Sequence, residues 1–443
     1  MKNELAKVSA VSLMVCGFSA AAQNVDPAKV QELERQIKTL SDEVERMKEG
    51  PPANRDLEDT MKKGWFKSRG LSIGFYGEAK YRFPEAGPAV FDPHRFVLTP
   101  SYQINDWLVF NSEIEFEHGG IDEVSGSSRS KFDGEIELEQ FYVDILLNEH
   151  FNIRSLGIDL VPVGRINKYH EPTVFYSTER PELYREIIPS TWFEPSMSVF
   201  GKVVEGLDYQ VMVSTGLEDA TSQAGPGVTA ADGLRNARPR LRRADESNLA
   251  LSGRLHYNGI AGLDASASFY TTKLRGFDSS ETWVGLGDIE LAYRVPRTGL
   301  ELRGDFAYWH IDKPENLVAN NNTDTGGGLI LNDDVGGAMY GWYVEAAYHF
   351  WPEAWREGRG REMDLVPFVR YSEIVTQTEL LDGSVERDDG STSKEFLTAG
   401  LAYFLNANFV LKADYRWNIA GKKAVERSGT NQDYFQIGAG VFF

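Results

Sequence analysis

Charged residues recur in this chain at every second position, opposite aromatic and aliphatic ones, and that spacing limits the chemistry they can do. In residues 71–83, Leu71, Ile73, Phe75, Gly77, Ala79, Tyr81 and Phe83 alternate with Ser72, Gly74, Tyr76, Glu78, Lys80 and Arg82. Asn111, Glu113 and Glu115 oppose Phe110, Ser112, Ile114 and Phe116, and Glu301, Arg303 and Asp305 oppose Leu300, Leu302, Gly304 and Phe306. Lys412, Asp414 and Arg416 likewise oppose Leu411, Ala413, Tyr415 and Trp417. A period of two belongs to a strand with one apolar and one charged face. Charges in such rows shape an electric field; they do not assemble a nucleophile and its base. Arg82, Arg95, Arg254, Arg303, Arg370 and Arg416 stand in these rows beside Glu113 and other carboxylates, and neither sign prevails.

A second concentration of charge lies between strands, in residues 166–193. Lys168, His170, Glu171, Glu179, Arg180, Glu182, Arg185 and Glu186 can set opposed charges across a channel and so orient dipolar or charged solutes. The competing reading is that these residues pin the loop to a wall by ion pairs. Arg235, Arg238, Arg240, Arg242 and Arg243 form a third cluster, which reads either as an external anion funnel or lipopolysaccharide contact or as a solvated loop. No HExxH motif appears, and no enzyme is expected. No cofactor or metal site is expected either.

Strands of about ten residues that carry these rows have the length a tilted membrane strand needs. Short turns fall near Asn105-Asp106, 148–150, Glu205-Gly206, 258–262, 296–299 and 406–408, with a longer one around 351–361. Longer segments fall between them at 84–93, 118–133, 166–193, 218–246, 274–281, 312–338, 375–393 and 420–431. Counting between these connections predicts sixteen strands, with both termini on the short-turn side. Even strand number, short turns at one end and long loops at the other are how bacterial outer-membrane barrels are built. A soluble sandwich has no reason to keep that asymmetry.

The start of the chain fits the same destination. Lys2 and Lys7, an apolar run over residues 8–18 and Ala20-Ala21-Ala22 have the layout of a secretory signal over residues 1–22. Its removal takes away two lysines and Glu4, leaving 44 basic and 65 acidic residues and a net charge of −21, which disfavours nucleic acid as a partner. The single cysteine, Cys16, goes with it, so the mature chain has neither disulfide nor thiolate. In residues 23–50, Val30, Leu33, Ile37, Leu40, Val44 and Met47 make a heptad seam after Asp26-Pro27, ended by Gly50-Pro51-Pro52. A short coiled-coil helix is expected there, a linker over 51–70, and the barrel over 71–443.

Residues 165–201, RINKYHEPTVFYSTERPELYREIIPSTWFEPSMSVFG, resemble the barrel segment of the phosphate-selective porin O and P family. The final FQIGAGVFF resembles the signal by which outer-membrane barrels are recognised for insertion. The resemblance implies a sixteen-stranded barrel, usually a homotrimer, that passes small solutes or ions by diffusion, and a third long loop folded inward. It also implies that the coiled coil lies in the periplasm. The arginine ladders and lysine clusters of the phosphate-specific members have no residue-by-residue match here, so phosphate specificity is not carried over.

The expectation is therefore an all-β protein: a 16-stranded antiparallel transmembrane β-barrel preceded by a short periplasmic coiled-coil helix. It is placed in the outer membrane of a Gram-negative cell, in contact with lipid, with periplasmic termini. Its expected function is that of a porin, with a structural tether between barrel and periplasm as the alternative.

Overall fold

The computed structural model describes residues 66–68, 70–119, 134–218, 233–239, 241, 248–276, 280–317, 336–379, 392–420 and 433–443. The expected signal, the heptad segment, most of the linker, and Arg240, Arg242 and Arg243 lie outside the described residues. All the described residues belong to one compact unit, Pro51–Phe443.

A three-residue strand, β1 (Phe66–Ser68), precedes the sixteen strands of a closed antiparallel barrel. Those are β2 (Leu71–Pro84), β3 (Val90–Asn105), β4 (Leu108–Glu117), β5 (Ile136–Leu146), β6 (Asn152–Leu160), β7 (Phe193–Val204), β8 (Leu207–Thr215) and β9 (Leu249–Tyr257). The second half comprises β10 (Leu263–Arg275), β11 (Glu281–Arg294), β12 (Leu300–Ile311), β13 (Ala338–Tyr348), β14 (Asp364–Thr378), β15 (Ser393–Asn406), β16 (Phe409–Ala420) and β17 (Tyr434–Phe442). Each pairs with its sequence neighbours, and β17 returns to β2 with Phe435 opposite Phe83, Ile437 opposite Tyr81 and Ala439 opposite Ala79. Phe443 extends that seam: its N–H donates to the Phe75 carbonyl at 2.7 Å, and the two rings stack at 5.0 Å. Closure gives each of the sixteen strands a paired neighbour on both sides, which a sheet in lipid requires.

Burial is inverted relative to a water-soluble protein. The large exposed side chains are apolar, among them Ile289, Leu251, Leu255, Phe306 and Val344, while Glu113, Arg95, Glu301, Arg370 and Asp414 are buried inside. The last strand follows its alternation: Phe435, Ile437 and Phe443 face out, Gln436 and Gly440 in. Aromatic rings at strand ends, including Tyr81, Phe83, Trp107, Tyr348, Phe350 and Trp417, are exposed on the same outer surface, as half-wet rings are at a membrane interface.

Two expected long connections are shorter than the composition implied. Residues 84 and 90–93 are strand, leaving 85–89 as the connection, because Pro93 fits into β3 at an irregularity where Glu78 pairs with Arg95 and Lys80 with Asp92. The β10 and β11 strands extend toward each other until only 276–280 separate them, with Lys273 and Glu281 paired across the ladder at 2.6 Å. Polar residues there belong to strand ends beyond the apolar belt, which composition alone cannot distinguish from loop.

Because Ile289 sits mid-strand and is 67% exposed, Ile289→Arg is expected to destabilise the barrel in lipid vesicles by about 2–4 kcal/mol. Denaturant titration in vesicles measures this, and Ile289→Leu should leave stability unchanged.

Candidate functional site

The connection between β6 and β7, residues 161–192, does not lie over the barrel mouth but runs through the lumen. Its charges had marked it as polar, yet Val161, Val163, Ile166, Val174, Phe175, Leu183, Ile187, Ile188 and Trp192 form the centre of the largest hydrophobic cluster among the described residues. A segment enclosed by a barrel needs a core as any buried segment does, and these residues supply it. Two single-turn helices, α1 (Arg165–Lys168) and α2 (Leu183–Glu186), fold it compactly.

The wall is built to receive this loop. Toward the long-loop end, the inward positions become apolar: Leu286 and Val284 on β11, then Ala307, Trp309 and Ile311 on β12. Toward the short-turn end the same strands carry Asp288 and Glu290, or Glu301, Arg303 and Asp305. Trp192 packs on Tyr270 at 4.5 Å, and the Trp309 indole donates to the Ile187 carbonyl at 2.8 Å. Gly341 on β13 gives α2 its seat; a Cβ there would stand 2.8 Å from Ile187 and 3.0 Å from Leu183.

The expected pore charges largely serve as anchors. Arg303 donates to the Val174 carbonyl at 2.9 Å, lies 4.1 Å over the Tyr176 ring and pairs with Glu301. Arg370 donates to the Ser177 hydroxyl at 2.6 Å and pairs with Glu345 at 3.2 Å. Arg95 donates to the His170 carbonyl at 2.5 Å and to Glu78 at 2.9 Å. Glu179 accepts Lys80 at 2.8 Å and Arg82 at 2.5 Å. Arg416 lies 3.7 Å from Glu182. Inward charges need not be paired in a wide barrel, yet these are, either with carboxylates of the wall or with the loop.

The remaining expected residues are distributed differently. Glu113 and His170 are buried together beside Tyr76, and Glu171 is buried next to them. Arg180 donates to Thr191 within the loop at 2.9 Å. Arg185 is mostly exposed and lies 3.6 Å from Glu186. Lys168 donates to Gln210 at 3.0 Å, and Arg254 lies 3.6 Å from Glu290. Lys168 and Arg254 face a cavity of about 230 Å³ at the short-turn end, with Arg154, Tyr169, Gln210 and His256 also in its lining. Of the third cluster, Arg238 donates to the Ser190 and Thr191 carbonyls at 2.9 and 3.2 Å, tying the fourth long loop to the third.

Sequence reasoning missed Arg154, which binds Asp144 at 2.8 Å and Asp159 at 2.9 Å, and it missed Glu139. A signal for Glu139 existed. In Ile136–Leu146 the polar positions are first 137 and 139, then 140, 142 and 144, so the alternation changes phase between Glu139 and Gln140. The structure has a β-bulge there, and both side chains are buried on the inside.

Electrostatics reinforces the docking. Burial alone would raise the Glu179 carboxyl, but Lys80 and Arg82 outweigh it and hold the group well below the usual carboxylate range. Burial would likewise raise Glu186, but Lys394 and Arg185 overcome it and the group is lowered. Burial pushes Glu171 up to about 7.

No protein-family model matches the chain. It is 29% identical over 358 residues to an uncharacterised protein of Aquifex aeolicus (strain VF5), covering 78% of this chain and 75% of that one. Among solved structures it is similar to OmpT of Vibrio cholerae lacking loop L8, an outer membrane protein, with a TM-score of 0.50, 10% identity, and coverage of 84% of this chain and 100% of that one. OmpF of Salmonella typhi, solved in complex with daunomycin, matches with a TM-score of 0.50 at 14% identity, covering 85% of this chain and 99% of that one. At these identities the likeness is one of fold, a closed antiparallel β-barrel.

A carboxyl held below its unfolded value contributes stability that is present above the unfolded value and lost as pH falls through the folded one. The Glu179 clamp is therefore expected to hold at pH 5 and fail only well below pH 4. Glu179→Gln should weaken loop docking at pH 7 by roughly 1–3 kcal/mol, between the limits for exposed and buried pairs. Protease sensitivity of residues 161–192, compared between the two proteins as the pH is lowered from 7, reads the difference, which should persist at pH 5 and narrow only as the pH falls below about 4.

Proposed function

We propose that this chain is an outer-membrane porin in which the third loop narrows the lumen and small hydrophilic or charged solutes diffuse through what remains. Carrying this reading is the combination of a sixteen-stranded barrel with an apolar exterior and a charged interior. Sixteen strands leave room for an aqueous passage in principle. In this reading the long loops face outward, the termini lie in the periplasm, and three copies assemble. The cavity at the short-turn end is the periplasmic vestibule, and Lys168 and Arg254 line the solute path at its base. The other anchoring residues set the bore by holding the loop. Their pairing with carboxylates, as in Arg303 with Glu301 and Arg95 with Glu78, means that these anchoring arginines do not form an unopposed stretch that would favour phosphate.

The purified protein in planar bilayers is expected to show small single-channel currents. Arg303→Ala combined with Arg370→Ala, which removes two anchors of the loop, should raise conductance several-fold and make it noisier. Lys168→Glu should move ion selectivity toward cations. Folded protein that gives neither current nor solute swelling, in both the parent and the double variant, would sink the channel reading.

A further inference from the structure

We propose that Glu113, Glu139 and His170 form a binding site for one divalent transition-metal ion, of the zinc or manganese type, which fastens the start of the third loop to the wall. The three residues come from different parts of the chain: Glu113 from β4, Glu139 from the bulge in β5, and His170 from the loop. Their ligand atoms all lie within 4.8 Å of one another, and His170 Nε2 is 3.7 Å from a carboxylate oxygen of each glutamate. Metal–ligand distances near 2.0–2.2 Å need the two 3.7 Å separations from His170 to shrink by only a few tenths of an ångström.

Three independent features point to a cation. Glu139 is fully buried, its oxygens accept no hydrogen bond from a nitrogen donor among the described residues, and its near neighbour is another buried carboxyl, Glu115. A carboxylate in that position is costly unless something positive meets it. His170 is held as a metal ligand is held: its Nδ1 lies 3.1 Å from the Asn167 carbonyl, which can only accept, so Nδ1 carries the proton and the Nε2 lone pair faces the glutamates. The bulge is the third. At Glu113 the register steps from Gln140 to Leu138, and Glu139, the extra residue, turns inward where plain alternation would have placed Gln140 on the opposite face.

Tyr76 narrows the choice of cation. Its hydroxyl donates to Glu113 at 2.5 Å and lies 2.7 Å from His170 Nε2. One phenol proton cannot serve both. Either the ring is an imidazolium, or a metal ion supplies the charge between Nε2 and the two carboxylates. The imidazolium meets Glu139 only as an ion pair at 3.7 Å, without a hydrogen bond, whereas a metal ion would bind a carboxylate oxygen directly. An imidazole and two carboxylates suit zinc or manganese better than calcium or magnesium, which favour oxygen-only shells.

The test folds the full chain in detergent with ZnCl2 or MnCl2, passes it through chelating resin and measures metal by mass spectrometry. About one ion per chain should remain. Glu139→Gln and Glu113→Gln, each near-isosteric, should lower retention at least tenfold, and Tyr76→Phe should weaken affinity by about 10- to 100-fold. The more exposed Asp92, His94 and His118 group is controlled by His118→Ala, which should retain the ion. Full-length protein holding no more zinc or manganese than Glu139→Gln would overturn the proposal and leave the imidazolium. So would loss of the ion in His118→Ala with retention in Glu139→Gln. If a glutamate variant does not fold, metal content of the parent and of His118→Ala decides alone: an ion in both supports the site, and none in the parent overturns it.

Discussion

A loop that enters a barrel brings its backbone with it, and each carbonyl buried there must meet a donor, within the loop or on the wall. Much of the interior follows from this constraint. Arg303 serves Val174, Arg95 serves His170, Lys412 serves Ser177 and Trp309 serves Ile187. Each donor is long enough to reach from strand to loop, and three of the four carry a charge that needs its own partner. Carboxylates such as Glu78, Glu301 and Glu345 accordingly stand beside them on the wall. The balance of signs inside the barrel is a consequence of holding the loop.

The apolar part of the interior solves a different problem. Enclosed charge costs several kcal/mol per ion unless it is well paired, and a lumen filled only by ion pairs would be expensive to desolvate. By turning apolar toward the long-loop end, β11 and β12 let the loop gain roughly 1.5–3 kcal/mol for each large side chain fully buried. Trp192, Leu183 and Ile188 therefore drive docking, and the charged anchors fix where it happens.

The barrel was legible because lipid imposes a period of two. Phe435, Ile437 and Phe443 alternate with Gln436 and Gly440, and no other environment rewards that inversion on sixteen strands. Strand ends were less legible: residues 84–93 and 274–281 look like loop because strands continue past the apolar belt into polar surroundings. The interior was hardest to read. Lys168, His170 and Glu179 could be placed in the third loop from sequence, but not their partners, since Arg82, Tyr76 and Gln210 meet them only through the fold. The packing role of Ile166, Ile187 and Trp192 was hidden by the charges between them. A change of phase at Glu139-Gln140 was visible in the letters, but its meaning depended on which strand lay opposite.

The loop's seat against the last strands has a further consequence. Thr178 donates its N–H to Asp414 on β16 at 2.6 Å, across 236 residues of chain, and Pro172 fills the space left by Gly440 on β17. When residues 161–192 leave the ribosome, the surface that will hold them has not yet been made. Docking must wait until the C-terminal strands arrive and the seam between β17 and β2 is closed, because contacts so distant in sequence carry a large closure entropy. Assembly thus has a built-in order: the cylinder first, its filling last.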